Sequence, residues 1–473
     1  MISNGLLSAT CPGNLDNCKQ GIYIVMDDHL FKRTPLTRRR FLKLSTLSVA
    51  GLVAGCAVNP VTGRQQLMLI SREQEISIDR KNSPHQFSVD YGAIQDQPLN
   101  NYISTVGKKL AAHSHRPDMP YSFRGVNAAY INAYAFPGGS IAATRGILLA
   151  MENEAQLAAL LGHELAHVNA RHTASQMSKS MLGNAFLAGA VVYASQRQHG
   201  ELTEKIGMLS AGLLLASYSR DNEREADAIG MEYMVAGGYN PQGMIGLMEV
   251  LQKISKHKPG AIELMFSTHP MSDERYRNAQ DNARTFFRSA RSLPIMRERY
   301  MDKTANLRKI KDAIKAMQNG DQAMNKEEYE TAEKFLSQAL KQAPNDYAAL
   351  VMMAKCQLAR ENYQEASRYA ELARKAYPQE AQSYHLQGIT KILQKKYAAA
   401  YQAFSTCERL LPGNPNITFY KGISLEGMQR HRDAAVEYRR YLQNSGGQGG
   451  QAAHAYQRLV DWGYIQPGQQ QKR

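Results

Sequence analysis

Two histidines four residues apart, with a glutamate beside the first, are the most informative feature of this 473-residue chain. The segment reads His163-Glu164-Leu165-Ala166-His167, an HExxH pattern. Residues four apart lie one turn apart on the same face of a helix, so both imidazoles can bind one metal ion. Glu164 is then placed to hold and deprotonate a water that the metal activates. The alternative is a surface helix with two solvated histidines.

A zinc site of this type needs a third protein ligand, usually a carboxylate, and leaves its fourth position to water. The candidates are Glu223 and Asp227, four residues apart in a segment that predicts a helix. One can bind the metal while the other accepts a hydrogen bond from a ligand histidine and fixes its tautomer. A solvated, charged helix face is the alternative. The preceding apolar stretch favours partial burial, and a buried carboxylate needs a partner such as a metal.

These two motifs and three further segments resemble the BepA-like and HtpX-like zinc metallopeptidases. The further segments are Asn59–Gln66 (NPVTGRQQ), Asn132–Gly139 (NAYAFPGG) and Ser267–Pro270 (STHP), the last with Arg275 downstream. They follow the family's order from about Asn59 to about Arg291. The resemblance implies a zinc metallopeptidase of the gluzincin type with one zinc ion per chain.

The resemblance implies a role for each matched polar residue. The implied zinc ligands are His163, His167 and Glu223. Asp227 lies behind the ligands, and His269 lies near the zinc, where the matching histidine of BepA-like proteins can occupy the open coordination position and restrain activity. Arg275 either stabilises the oxyanion, binds substrate or forms a structural salt bridge. His172 has no matching role and is interpreted as structural.

The predicted reaction is hydrolysis of a peptide bond. Zinc polarises the scissile carbonyl, while Glu164 takes a proton from water and delivers it to the leaving amine. From Tyr130 to Phe136 aromatic or polar residues alternate with apolar ones, which predicts a half-buried strand that ends at Gly138. An edge strand here can pair with an extended substrate, and plain core packing explains the alternation equally well.

The first 55 residues predict an export signal. Thr37–Lys43 (TRRRFLK) fits the twin-arginine pattern, and the apolar stretch from Leu44 to Gly55 is too short to span a bilayer. Val53–Cys56 (VAGC) resembles a bacterial lipobox, so Cys56 is the predicted lipidation site. Met26 offers a second start codon, which would leave residues 1–25 untranslated.

This signal predicts where the mature chain lies. Lipid on Cys56 would hold it in the periplasm at a membrane. Ala57 stands where an aspartate would favour retention at the inner membrane, so the outer membrane is favoured.

A 34-residue period predicts tetratricopeptide (TPR) repeats in the last third of the chain. Positions one period apart carry matching residues: Tyr329, Tyr363, Tyr397 and His431; Ala332, Ala366, Ala400 and Ala434; Pro344, Pro378 and Pro412; Gly320, Ala354, Gly388 and Gly422. We expect four repeats from about Ala313 to Ser445 and a capping helix from Gln451 to Trp462. Cys407 occupies a small packing position, and Cys356 has no predicted function.

The predicted fold is mainly α. It combines an α+β zincin-like metallopeptidase domain, which has a small sheet, with an all-α TPR solenoid. The predicted segments are the signal at 1–55, a tether and entry segment at 56–75, the peptidase domain at 76–300, the repeats at 301–448, and a capping helix and tail at 449–473. The apolar stretches Met181–Ala194 and Ile206–Ser217 are predicted to pack as helices around the site. Basic residues between Arg297 and Lys311 predict a polar junction between the domains.

The predicted function is that of a membrane-anchored periplasmic zinc endopeptidase that hydrolyses misfolded or stalled envelope proteins. As in BepA-like proteins, the repeats would recruit polypeptide substrates or the outer-membrane protein assembly machinery. The alternatives are a TPR-based assembly factor or chaperone with secondary proteolysis and, more weakly, a maturase with one substrate. A net charge of +15 suits contact with anionic lipid or acidic partners. No nucleic-acid motif appears, and the export signal argues against such a partner.

Overall fold

The computed structural model describes residues 56–181, 217–257, 259–447 and 449–466. The predicted signal at 1–55 lies outside the described residues, and so do nearly all of the two apolar stretches predicted to pack around the site. Within the described ranges, none of the helices combines the length and apolar character needed to cross a bilayer. A helical peptidase domain with small sheets precedes a helical repeat domain, which confirms the predicted fold class.

A short hairpin and two helices open the peptidase domain. Strands β1 (Cys56–Val58) and β2 (Gln65–Leu67) pair antiparallel and precede helices α1 (Arg72–Val89) and α2 (Gln97–Ala111). Ser71 caps α1 and forms a capping box with Gln74, which fixes the start of this helix. The boundary expected at residue 75 therefore falls inside α1, and the folded domain begins earlier.

Three strands form the sheet beside the site, in the order β3 (Ser122–Val126), β5 (Ser140–Thr144), β4 (Ala133–Ala135). Strand β5 pairs parallel with β3 and antiparallel with β4. The strand expected between Tyr130 and Phe136 shrinks to three residues, and all of them are buried. The expectation of a half-buried strand was wrong because Tyr134 and Phe136 pack with Phe87 in a second apolar cluster. Strand β4 nevertheless lies at the edge of the sheet, as pairing with an extended substrate would require.

Helices surround this sheet and supply the polar residues of the site. They are α3 (Arg145–Ala150), α4 (Glu154–Asn169), a helical segment at 172–181, α5 (Arg220–Ala236), α6 (Gln242–His257), α7 (Pro259–Thr268) and α8 (Asp273–Thr285), followed by a 3-10 turn (Arg288–Ser292). Helix α4 contains the HExxH motif, and every one of its residues is buried. This helix is therefore a central core element, and the alternative of a solvated surface helix is wrong.

Two short helices and a helical solenoid complete the chain. The short helices are α9 (Arg297–Lys303) and α10 (Ala305–Lys309). Four antiparallel helix pairs follow: α11 (Lys311–Asn325) with α12 (Tyr329–Gln342), α13 (Tyr347–Ala359) with α14 (Tyr363–Ala376), α15 (Ala381–Leu393) with α16 (Tyr397–Leu410), and α17 (Pro415–Gly427) with α18 (His431–Ser445). Helix α19 (Gly450–Asp461) packs against the last pair. Burial raises the pKa of Cys407 to about 12, in keeping with a packing residue.

Small residues in the repeats match the size of their partners in the second helix of each pair. An added Cβ at Gly388 would lie 2.4 Å from the Phe404 ring, and one at Gly422 would lie 2.4 Å from the Tyr438 ring. In the second repeat Ala354 takes the glycine position, and the residue at the position of Phe404 is Ala370. The aromatic rings of Phe404 and Tyr438 therefore leave room only for glycine on the facing helix, whereas the smaller Ala370 leaves room for Ala354.

The peptidase and repeat domains share one hydrophobic core. Tyr300 and Leu307, on α9 and α10, are fully buried in the same cluster as the residues around the HExxH helix and the first repeat helices. An ion pair between Arg145 Nη1 and Asp346 Oδ2, 2.5 Å apart with both side chains buried, links α3 to the cap of α13. The junction that the basic residues predict to be polar also has a buried apolar centre, while Arg299 pairs with Glu154 and Arg308 donates to the Met151 carbonyl at 2.7 Å. The boundary expected at residue 300 falls inside α9.

Candidate zinc site

Two glycines allow helices α4 and α5 to meet backbone to backbone. A Cβ added at Gly162 would lie 2.8 Å from the carbonyl oxygen of Gly230, and a Cβ added at Gly230 would lie 2.8 Å from the amide nitrogen of His163. Only glycine permits this approach. Glu223 and Asp227 lie on the same face of α5 as Gly230, seven and three residues before it. The contact therefore brings both carboxylates to the HExxH motif.

Four ligand atoms meet in the buried space between α4, α5 and the end of α7. His163 Nε2 lies 3.1 Å from His167 Nε2 and 3.3 Å from His269 Nδ1. Glu223 Oε1 lies 3.1 Å from His269 Nδ1 and 3.3 Å from His167 Nε2. Ligand atoms bound tetrahedrally to zinc at about 2.0–2.1 Å lie roughly 3.3 Å apart. The four distances above therefore match the edges of a zinc tetrahedron, and all four ligand atoms lie within 4.8 Å of one another.

The Glu164 carboxylate is a second sign that a group belongs here. Both of its oxygens are buried and have no hydrogen-bond partner among the described residues. An unpaired carboxylate in a protein interior is costly, so such a group needs a ligand or water that carries a proton. Burial raises the pKa of Glu164, which is the shift that a general base working near neutral pH requires.

The protonation of the two flanking groups suits metal binding. Burial lowers the pKa of His167 well below its usual value and keeps the imidazole neutral, the form that coordinates metals. Burial alone would raise the pKa of Glu223, but His269, His163 and His167 around it outweigh burial and lower this pKa. A neutral imidazole at His167 and an ionised carboxylate at Glu223 are both in the forms that bind zinc.

His269 closes the cluster on the side of the general base. Its Nδ1 is the fourth ligand atom, and its Nε2 lies 3.7 Å from Glu164 Oε1. The ring is 4 % exposed and follows α7, where the His269 amide donates to the carbonyl of Met265. His269 thus fills the space between the ligand atoms and Glu164 that a substrate carbonyl would need.

Asp227 and Arg275 support the first histidine. Asp227 Oδ1 lies 3.0 Å from His163 Nδ1, on the opposite side of the ring from the ligand atom. Arg275 donates from Nε and Nη2 to the two oxygens of Asp227, at 2.6 and 2.7 Å. Its Nη1 donates to the carbonyl of Pro270 and lies 2.7 Å from Glu223 Oε2. The structure thus shows the salt-bridge alternative for Arg275, whose contact with substrate stays a prediction.

Three residues near His167 had no predicted role in the site: His172 was interpreted as structural, and neither Tyr218 nor Glu225 was singled out. His172 Nδ1 lies 2.9 Å from His167 Nδ1, and Tyr218 stacks on the His167 ring with the centroids 3.8 Å apart. Glu225 lies beyond His172. His172 lies beyond the end of α4 at Asn169, so helical spacing alone does not predict its contact with His167. Nothing in the sequence marks Tyr218.

A small apolar pocket of about 20 Å³ lies beside the zinc ligands. His163, Asp227, His269 and Arg275 form its polar end. Its apolar walls are formed by Leu160, Met244, Leu247, Met248, Leu251, Met265, Phe266 and Met271. Methionine side chains are flexible, so the walls of this small pocket can change shape around an apolar group.

Comparison with known proteins now identifies the domain that holds this cluster. The model of peptidase family M48 matches residues 98–283, which contain all four ligand atoms, Glu164, Asp227 and Arg275. Residues 98–283 form an M48 peptidase domain. A tetratricopeptide repeat model matches residues 323–388. The M48 match confirms the predicted metallopeptidase domain and its zinc cofactor at the level of the family, and the second match confirms the repeats.

Curated relatives share this domain. The chain is 29 % identical over 259 residues to the "Beta-barrel assembly-enhancing protease" of Yersinia pestis, covering 51 % of this chain and 52 % of the relative. It is 30 % identical over 200 residues to the protein of that name from Escherichia coli, covering 40 % of each. It is 33 % identical over 186 residues to "Mitochondrial metalloendopeptidase OMA1" of Schizosaccharomyces pombe, covering 39 % of this chain and 53 % of the relative. The chain spans about half the length, or less, of these relatives.

The helix contact makes a prediction for Gly230→Ala. The added methyl group would push α5 away from α4 and displace Glu223, so we expect zinc affinity to fall at least about tenfold, alongside about 1–3 kcal/mol of lost stability. Competition with a chromophoric chelator measures the affinity. Gly320→Ala, in the repeats, is the control, because its added Cβ would lie 3.0 Å from the side chain of Leu336, which can shift, and 3.6 Å from the nearest backbone atom. Equal zinc affinity in Gly230→Ala and the parent would show that the contact does not set the site.

Proposed function

We propose that this chain is a periplasmic zinc endopeptidase that hydrolyses misfolded or stalled envelope proteins. The observation that carries the proposal is the buried cluster of His163, His167, Glu223 and His269 beside the unpaired carboxylate of Glu164. Its M48 domain and its relatives named as proteases or a metalloendopeptidase support the same reaction.

Each residue has a separate part in the reaction. His163, His167 and Glu223 hold the zinc, which when bound supplies a Lewis acid that polarises the scissile carbonyl and acidifies water. Glu164 accepts the proton of the attacking water and returns it to the leaving amine. Asp227 keeps the Nδ1 proton of His163 in place, so that Nε2 stays free to bind metal. Arg275 holds Asp227 and Glu223 in position through its buried guanidinium.

The structure corresponds to a resting state in this proposal. His269 occupies the fourth ligand position and faces Glu164, so substrate and His269 compete for the same space. Hydrolysis requires His269 to leave, and this could protect cytoplasmic proteins while the folded precursor awaits export.

Two features favour unfolded polypeptides as substrates. The methionine side chains that line the small pocket beside His163 can move to admit an apolar side chain, a group that folded proteins bury and unfolded ones expose. The edge of strand β4 can pair with an extended main chain independently of its sequence. The repeats would recruit such segments or the outer-membrane protein assembly machinery. This last partner follows from the name of the relatives, and an assembly factor with secondary proteolysis is the alternative function.

Location is the remaining part of the proposal. The twin-arginine and lipobox patterns support export and lipid on Cys56, which would hold the chain at a membrane, with the outer membrane favoured by Ala57. Backbone pairing of Cys56 with Leu67 would then place the lipid next to the folded domain.

Cleavage of casein tests the enzymatic proposal. We expect the purified parent chain to bind one zinc ion and to cleave casein until a chelator removes the metal. Glu164→Gln should keep the zinc but lower the cleavage rate about 100-fold or more, because it removes the base. The endopeptidase proposal would be refuted if the parent and His269→Ala both bound stoichiometric zinc but neither cleaved casein in a chelator-sensitive way. Full rescue of a deletion strain by Glu164→Gln would favour the assembly-factor alternative.

His269→Ala tests the resting state. Removal of the competing ring should raise the cleavage rate, by roughly tenfold if the ring occupies the position most of the time. His113→Ala, at an exposed position, is the control for the loss of a histidine. A rate no higher than that of the parent would contradict the role of His269.

Cys56→Ser tests the anchor. We expect the variant to move from the membrane fraction to the soluble fraction while zinc binding stays unchanged. Cys356→Ser should remain with the membrane, since this thiol is buried in the repeats. An unchanged membrane association of Cys56→Ser would rule out the lipid anchor.

A further inference from the structure

The two histidines of the HExxH motif are supported in different ways. His163 directs its Nδ1 at the carboxylate of Asp227, 3.0 Å away. His167 directs its Nδ1 at another imidazole, with His172 Nδ1 at 2.9 Å. All three rings are buried, so neither contact is shared with bulk solvent.

Tautomer logic fixes the direction of the contact between His167 and His172. His167 offers Nε2 to the ligand cluster, so as a neutral ligand it carries its proton on Nδ1. His172 Nδ1 must then accept this proton, because two N–H groups cannot face each other at hydrogen-bond distance. Neutral His172 therefore carries its own proton on Nε2.

Glu225 lies on the proton-bearing side of His172. Its Oε1 is 3.8 Å from His172 Nε2, too far for a direct hydrogen bond but close enough for a negative charge to favour a proton on that nitrogen. The opposite tautomer would point a lone pair at this carboxylate and a proton at the proton of His167. Both contacts would be repulsive, so Glu225 favours the tautomer that His167 needs.

The turn after β1 holds Glu225 in place. Asn59 Nδ2 donates to Glu225 Oε1 at 3.0 Å. The Asn59 side-chain oxygen accepts from the amides of Val61 and Thr62, at 2.9 and 3.2 Å, which fixes the turn. The segment that follows the predicted anchor at Cys56 thus reaches the ligand His167 through two intermediate side chains.

We propose that His172 is a positioning residue for the zinc ligand His167 and that Glu225, held by Asn59, sets its tautomer. The inference rests on the zinc site of the proposed function, but not on its substrate or location. His172, interpreted above as structural, then contributes to metal affinity by accepting the Nδ1 proton of His167, the part that Asp227 has for His163.

Zinc affinity of the purified full chain, measured by chelator competition, tests the proposal without substrate. His172→Leu removes the acceptor, and we expect the affinity to fall about 10–100-fold. His172→Asn offers an amide oxygen where Nδ1 lies, so it should recover most of the affinity. The absorption spectrum of the cobalt-loaded protein should likewise change in His172→Leu and resemble the parent in His172→Asn.

A double-mutant cycle tests the part of Glu225. Glu225→Gln keeps the shape but removes the charge, so it should weaken zinc binding in the parent and have no further effect in His172→Leu. Equal affinity of His172→Leu and the parent would overturn the proposal, as would equal losses in His172→Leu and His172→Asn, which would reveal a packing role only. If Glu225→Gln still weakened zinc binding in the His172→Leu background, Glu225 would not act through His172, and that part of the proposal would be wrong. Casein cleavage is a separate assay. A parent that bound zinc but did not cleave casein would count against the proposed endopeptidase activity and not against the proposed role of His172.

Discussion

The contact between Gly162 and Gly230 is the constraint on which the rest of the site depends. The zinc ligands come from segments far apart in sequence, so they meet only where α4 and α5 pack against each other. The two glycines remove the side chains that would keep α4 and α5 apart. Glu223 and Asp227 share the face of α5 that contains Gly230. One helix contact therefore positions both the metal ligand Glu223 and Asp227, the hydrogen-bond partner of the ligand His163.

This arrangement concentrates charge where water is scarce. Glu164, Glu223, Asp227 and Arg275 are all buried within one cluster. Arg275 offsets part of the negative charge through its contacts with Asp227 and Glu223, while Glu164 forms no hydrogen bond within the described part of the chain. Buried ionic groups are stable only when each is satisfied. The protein therefore pairs the charges that hold the metal and leaves unpaired the one that must move a proton.

The sequence predicted the parts of the site that follow a local period. His163 and His167, and likewise Glu223 and Asp227, are four residues apart on single helices, so their shared faces could be predicted directly. The 34-residue repeat located the helix pairs of the solenoid for the same reason. The position of His269 came only from resemblance to a family, since a histidine before a proline carries no geometric signal. Tyr218 and Glu225 were missed because their roles depend on tertiary contacts with His167 and His172. The junction was predicted to be polar because Arg299 and Arg308 are visible in the sequence, whereas the burial of Tyr300 between them depends on packing across both domains.

The shared core of the two domains has a consequence for how the solenoid could present a polypeptide to the zinc. A recruiting module on a flexible linker delivers any part of its cargo, because the linker samples many distances. Here Tyr300, Leu307 and the buried pair of Arg145 and Asp346 fix the repeats against the peptidase domain. The distance between the repeats and the zinc is then fixed, and a captured chain would have to span it at no more than about 3.3–3.6 Å per residue. If the repeats hold substrate as proposed, the number of residues between the held segment and a peptide bond would decide whether that bond reaches the zinc.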